Sequence, residues 1–271
     1  MAIRFRKIFG QLQMINFTQS LKKNLNEKYS VLPGLYSNFD SRILYSFIRE
    51  YKPKSILDIA PRQGKTTSSI IEALFQNAHE TKEAIDYYVF EKDLNFYHKI
   101  MTYLNTYVSK FKDIGVEFRI HNDTNIINSK VLESIESLDF LFIDANHDYI
   151  LSAYLIDKVA TKVKDGGYVH FHDMHINLHG NGLEDLKFVQ SGVDHEDIIS
   201  EINLKKFYPN IYDIYVKHEK KVDLWEGDIV LEYIKVNGYN YFSTFTLSQE
   251  SNIPKDSTVE NCALYIHKVG N

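Results

Sequence analysis

Five short apolar runs recur along the first two thirds of the chain, and each finishes close to a carboxylate. The runs are 55–60, 86–90, 116–121, 138–143 and 168–171, and the acids near their ends are Asp58, Glu91, Asp123, Asp144 and Asp173. Segments with helical spacing of apolar residues lie between them. Strand-type runs that alternate with helices predict an α/β fold: an open, doubly wound, mostly parallel sheet with helices on both faces. Such a sheet binds its ligand beyond the carboxyl ends of the strands, near the point where strand order reverses. A hydrophobic core has no use for five carboxylates at those ends. A polar, cation-bearing ligand or a metal ion does.

The first run opens the most informative stretch, SILDIAPRQGKTT at 55–67. It reads as a strand, a tight turn holding Gly64, and a helix beginning near Thr66 and Thr67. A junction of this kind turns backbone N–H groups and a positive helix end toward a ligand. Three chemistries compete for it. A dinucleotide fingerprint wants three glycines, and only Gly64 is present. A triphosphate loop is suggested by QGKTT, with Lys65 and Thr66 in place. However, Ile59 stands where the first glycine is needed, and Pro61 and Arg62 are bulky for a phosphate cradle. A cationic ligand needs no glycine-rich cradle. Strand-end carboxylates suit it through charge-assisted hydrogen bonds and field.

The remaining elements follow from spacing and turn residues. Asp40 is expected to cap a helix that carries Ile43, Leu44, Phe47 and Ile48 on one face and ends at Lys52-Pro53. Further helices are expected over 66–75, 94–108, 125–134, 149–163 and 224–236. Asp165-Gly166-Gly167 reads as a turn before the fifth run. The stretches 241–247 and 262–269 alternate as strands do and predict an antiparallel hairpin at the sheet edge, for seven strands in all. Tyr87, Tyr88, Phe90, Phe140 and Phe142 are read as core.

Residues 1–38 form a helical extension ahead of a domain spanning 39–271, and 176–220 reads as an insertion or lid over the site. The extension is basic and loosely amphipathic. It could dock an anionic surface or a second copy in a homo-oligomer; packing on the main domain with a solvated basic face is the commoner use of such a helix. A net charge of −5 argues against a nucleic-acid partner. Cys262 is the single cysteine, which rules out an internal disulfide and a thiolate metal cluster. No run has the length of a membrane span and no signal-type core opens the chain, so a cytoplasmic location is expected.

These blocks resemble a known family. LDIAPRQG is similar to the first motif of Class I S-adenosylmethionine-dependent methyltransferases. FEKD resembles the acidic end of their second strand, HNDT their adenine-contacting stretch, and VKDGGYVHFHD their turn and fifth strand. LDFLFIDANHDY resembles the FIDGDHSY-type block of metal-dependent O-methyltransferases of the macrocin, sugar-modifying type. The likeness spans about 40–175 and 223–270. It implies a Rossmann-like methyltransferase fold and S-adenosyl-L-methionine as cofactor, bound by Asp58, Ala60, Gly64, Thr66, Glu91 and Asp123. It implies Mg2+ on Asp144 and Asp173, with Asp144 and His147 catalytic and His147 as general base. The implied partner is a small-molecule hydroxyl acceptor that contains a sugar. Ala60 replaces the motif's first glycine, a change the turn accepts if φ stays negative. His172 and His175 flank Asp173, as a ligand, a second base or simply loop histidines. Two readings of other classes remain: a P-loop-like nucleotide binder, and a module that binds adenosylmethionine without catalysis.

Overall fold

The computed structural model describes residues 32–34, 38–127, 129–145, 149–172, 226–244 and 263–269. Most of the N-terminal extension, the 176–220 segment, His147, Asp173 and His175 lie outside the described residues.

The elements run α1 (Asn38–Tyr51), β1 (Ser55–Ile59), α2 (Lys65–Thr81), β2 (Ile85–Phe90), α3 (Leu94–Asp113), β3 (Phe118–Asp123), α4 (Lys130–Ser134), β4 (Leu138–Ile143) and α5 (Tyr149–Tyr154). A π turn (Leu155–Val159) and a 3-10 turn (Ala160–Lys162) lead into β5 (Val163–Phe171), and α6 (Glu226–Asn237), β6 (Asn240–Ser243) and β7 (Leu264–His267) follow. The seven strands form one sheet in the order β3-β2-β1-β4-β5-β7-β6. All neighbours are parallel except β7, which runs antiparallel to both β5 and β6. This is the Rossmann-like methyltransferase fold expected from the sequence. The strand order reverses between β1 and β4, so the ligand crevice lies above those two strands.

β1 and β4 are central, and their apolar runs are buried on both faces. The α1–α2–α3 face packs through Phe47, Ile70 and Leu104, and the α4–α5–α6 face through Leu132, Leu151 and Ile234. Among the described residues, no helix is long and apolar enough to cross a membrane.

Several boundaries differ from expectation for local reasons. α2 continues to Thr81 because Asn77 and Ala78 keep its inner face buried, and a left-handed Lys82 closes it with an N–H to Ala78 O. The helix expected over 125–134 shrinks to α4. The side chains of Asp123 and Asn125 capture the backbone N–H groups of Thr124, Asn125 and Ile127, and Ser129 caps what remains. The expected turn at 165–167 is an irregularity within β5. There Gly166 donates to Lys268 O, Lys268 N donates to Gly167 O, and a Cβ on Gly167 would lie 2.9 Å from Asp139 O.

Candidate active site

The turn from β1 into α2 forms the floor of the crevice. Ala60 N donates to Phe90 O (2.8 Å), which ties the start of the turn to β2. Gly64 sits at φ +85° as the residue preceding α2, and its N–H bonds Pro61 O at 2.9 Å. Ala60 itself lies at φ +59° and Arg62 at +48°. The condition under which the turn accepts an alanine there, a negative φ, is therefore not met. The chain keeps the left-handed geometry of a glycine turn with an alanine in it, at a cost of about 1–2 kcal/mol for such a residue. Thr66, in the first turn of α2, is 2% exposed and its hydroxyl has no partner among the described residues. Leu32 N donates to Ser68 Oγ, so the segment before α1 lies against this turn.

Asp58 stands behind the turn rather than at its lip. It is fully buried, and its Oδ2 accepts from Thr67 Oγ1 (2.7 Å) and Tyr87 Oη (2.6 Å), while Oδ1 has no partner among the described residues. Burial pushes its carboxyl up to about 7. The two hydroxyls pull it back down, and the nearby charges of Asp144 and Glu91 add to the rise. The Tyr87 phenol, equally buried, is pushed well above its ordinary range.

Glu91 follows β2 and is 4% exposed. Its Oε2 accepts from Arg62 N (2.7 Å) and its Oε1 from Asp93 N (2.9 Å). These bonds clamp the β1 turn to the β2 turn and fix the carboxylate at the crevice. Burial raises it above its ordinary range against those two bonds. Asp123 ends β3. Its oxygens are engaged by Ser129 Oγ, Thr124 N and Asn125 N, and these bonds outweigh burial and hold it low. Those contacts make Asp123 the organiser of its own loop. Its neighbour Asn122 accepts from Tyr97 Oη on α3.

On the other side of the switch point, Asp144 N donates to Ile59 O (3.2 Å) and His172 N to Ile143 O (3.0 Å), which stitches the ends of β1, β4 and β5 together. His172 Nδ1 lies 3.1 Å from Asp144 Oδ1, with the side chains 3% and 21% exposed. One row deeper, His170 is fully buried, stacks on Phe142 at 4.5 Å and has no hydrogen-bond partner at either ring nitrogen among the described residues. Burial drives it well below the usual histidine range, so it is neutral.

The structure thus brings Asp58, Ala60, Gly64, Thr66, Glu91 and Asp144 around one crevice, with Asp123 farther out along β3. Among the described residues there is no group of three acids, histidines or cysteines that could hold a metal. Asp144 fits a ligand role, since among those residues only His172 engages its carboxylate. Its expected partners, Asp173 and His147, are not described. Three contributors were not read from sequence as site residues: Thr67, Tyr87 and His172 as the partner of Asp144. Tyr87 carried a signal. A tyrosine in a strand buried on both faces needs a partner for its hydroxyl.

A family profile described as a methyltransferase domain matches residues 61–174. The match runs from the β1–α2 turn through β5, less than half of the chain. Solved structures resemble the whole chain at low identity. The O-methyltransferase TomG of Streptomyces achromogenes, involved in tomaymycin synthesis and solved with SAM, is 11% identical, with 98% of this chain and 93% of that one covered at TM-score 0.45. The methyltransferase PaMTH1 of Podospora anserina, bound to SAH, is 10% identical over 95% and 88% at 0.48. The O-methyltransferase of Bacillus cereus with SAH is 10% identical over 97% and 94% at 0.46. Likeness at that level carries no argument about the chemistry of this chain. No curated protein matches it in sequence.

Proposed function

We propose that the chain is an S-adenosyl-L-methionine-dependent O-methyltransferase for a small-molecule hydroxyl. One observation carries the reading. Asp58, Glu91 and Asp144 lie at or near the carboxyl ends of β1, β2 and β4, Asp58 behind the turn, and among the described residues none forms an ion pair with lysine or arginine. Adenosylmethionine brings an ammonium and a sulfonium to such a field. The same carboxylates oppose a triphosphate. Lys65, which a phosphate loop would need, donates to Asn38 Oδ1 at 2.9 Å.

The cofactor supplies an electrophilic methyl group on sulfur. The acceptor oxygen gains that methyl as the carbon–sulfur bond breaks, and its proton must leave to a base. In this assignment the clamped Glu91 holds the ribose diol, the Ala60–Gly64 turn takes the methionine tail, and Asp144 faces the acceptor with its orientation fixed by His172. A divalent cation on Asp144 and Asp173 would lower the hydroxyl pKa. His147 is the proposed base, and a sugar-containing acceptor rests on the resemblance of the 138–149 block alone.

The test is the melting temperature. Adenosylmethionine and adenosylhomocysteine should each raise it, by about 2.7 kcal/mol of stabilisation at a hundredfold excess over Kd. A rise with ATP and magnesium but with neither of these ligands would overturn the assignment.

A further inference from the structure

We infer that binding of a cation-bearing ligand in the crevice expels a proton from Asp58, so that the buried set Asp58–Thr67–Tyr87 governs the pH range over which the cofactor is held. The inference rests on the cofactor assignment above.

The geometry separates Asp58 from the other two acids. Glu91 has a backbone N–H on each oxygen, and those donors favour its ionised form. Asp144 is part exposed and bonded to His172. Asp58 is sealed from water with both donors on one oxygen and none on the other. A fully buried carboxylate with an unserved oxygen is costly to keep charged.

The groups acting on it come from every element packed around it. β2 supplies the Tyr87 hydroxyl and, at its end, Glu91. β4 supplies Asp144 at its end. α2 supplies only the uncharged Thr67 hydroxyl, and Tyr103 of α3 acts on Tyr87. Each charged member of that set is an acid, and both carboxylates disfavour ionisation of Asp58. Burial does the same, and the group sits near 7. A cation above β1 reverses the field. The carboxyl O–H bond then breaks, its electron pair stays on Asp58, and the proton passes to the buffer.

Titration calorimetry of adenosylmethionine into the full chain at pH 7, in phosphate and in Tris, reads this directly. The expected result is a binding enthalpy that differs between buffers by the heat of the fraction of a proton released. Asp58→Asn should bind more weakly and with that release removed. Any proton exchange at the ligand's own ammonium persists in the variant and so cancels in the difference. Tyr87→Phe takes a donor from the ionised carboxylate and should move the release to higher pH, which keeps the inference testable if Asp58→Asn fails to fold. Binding without a buffer difference, an unchanged difference in Asp58→Asn, or an unmoved profile in Tyr87→Phe overturns the inference and leaves the cofactor assignment standing. No binding heat in either buffer, with no rise in melting temperature, overturns both.

Discussion

Acids at the amino ends of the strands and those around the β1–β4 switch point are treated in opposite ways. At the amino ends, acids meet basic side chains. Asp139 accepts from the backbone of Lys54 and Ser55 and pairs with Lys164 at 2.5 Å. Asp86 pairs with Arg119 at 2.5 Å, and Glu80 with Arg49 and Lys52. Asp86 and Asp139 lie below their ordinary range and Glu80 falls to about 2. At the carboxyl ends, Asp58, Glu91 and Asp144 have hydroxyls, backbone N–H groups or a histidine as partners, and Asp58 and Glu91 are raised. Acids at the amino ends are spent on holding the protein together. Asp58, Glu91 and Asp144 are held in place with no lysine or arginine paired to them among the described residues, which suits a site for a cationic ligand.

The sharpest way to break this contrast is at Asp144. Asp144→Ala should reduce methyl transfer by roughly a hundredfold or more while cofactor affinity stays within a few-fold, as read by kinetics and calorimetry. Full activity in the variant, or in excess chelator, would remove Asp144 and the metal from the chemistry.

Stability against pH separates the two ends next. Asp58 has a raised carboxyl, so the folded state binds its proton more tightly than the unfolded chain does. Its contribution is fully present below the unfolded carboxylate range and is lost as pH rises to about 7. Asp58→Asn should therefore gain on the wild type between pH 4 and 8, by an amount on the order of a few kcal/mol, in denaturant titrations across pH. Asp139 has the opposite sign. Its stabilisation is present at neutral pH and is lost as pH falls through its lowered value. Asp139→Asn should cost about 1–2 kcal/mol at pH 7 and less in acid. Parallel pH profiles for the two variants would erase the distinction.

The smallest effect is in the turn. Ala60→Gly relieves a left-handed alanine and should raise stability by up to about 1 kcal/mol, measured by chemical denaturation. A loss would mean that the alanine methyl group makes a contact worth more than the strain.

The sequence shows the sheet clearly because β1 and β4 are nearly continuous apolar runs, and 138–143 appears as a strand with no change of boundary. Asp144, Glu91 and Gly64 are legible from their places at strand ends and in the first turn. Other features depend on contacts that pattern does not encode. α4 shortens because Asp123 and Asn125 trap backbone donors, and side-chain-to-backbone bonds leave no periodic trace. Ala60 shows in sequence only as an alanine in a glycine position; its left-handed φ and its N–H to Phe90 O come with the fold. Thr67 and Tyr87 sit 9 and 29 positions from Asp58, and only folding brings their hydroxyls to one oxygen.

The central claim is that the clamped Glu91 after β2, and not a paired acid of the amino ends such as Glu80, holds the cofactor. Adenosylmethionine affinity measured side by side for the wild type, Glu91→Gln and Glu80→Gln tests it most directly. The account predicts a Kd raised about tenfold or more by Glu91→Gln, from loss of a hydrogen bond to a charged group, and unchanged by Glu80→Gln. Equal affinity in all three proteins would contradict it.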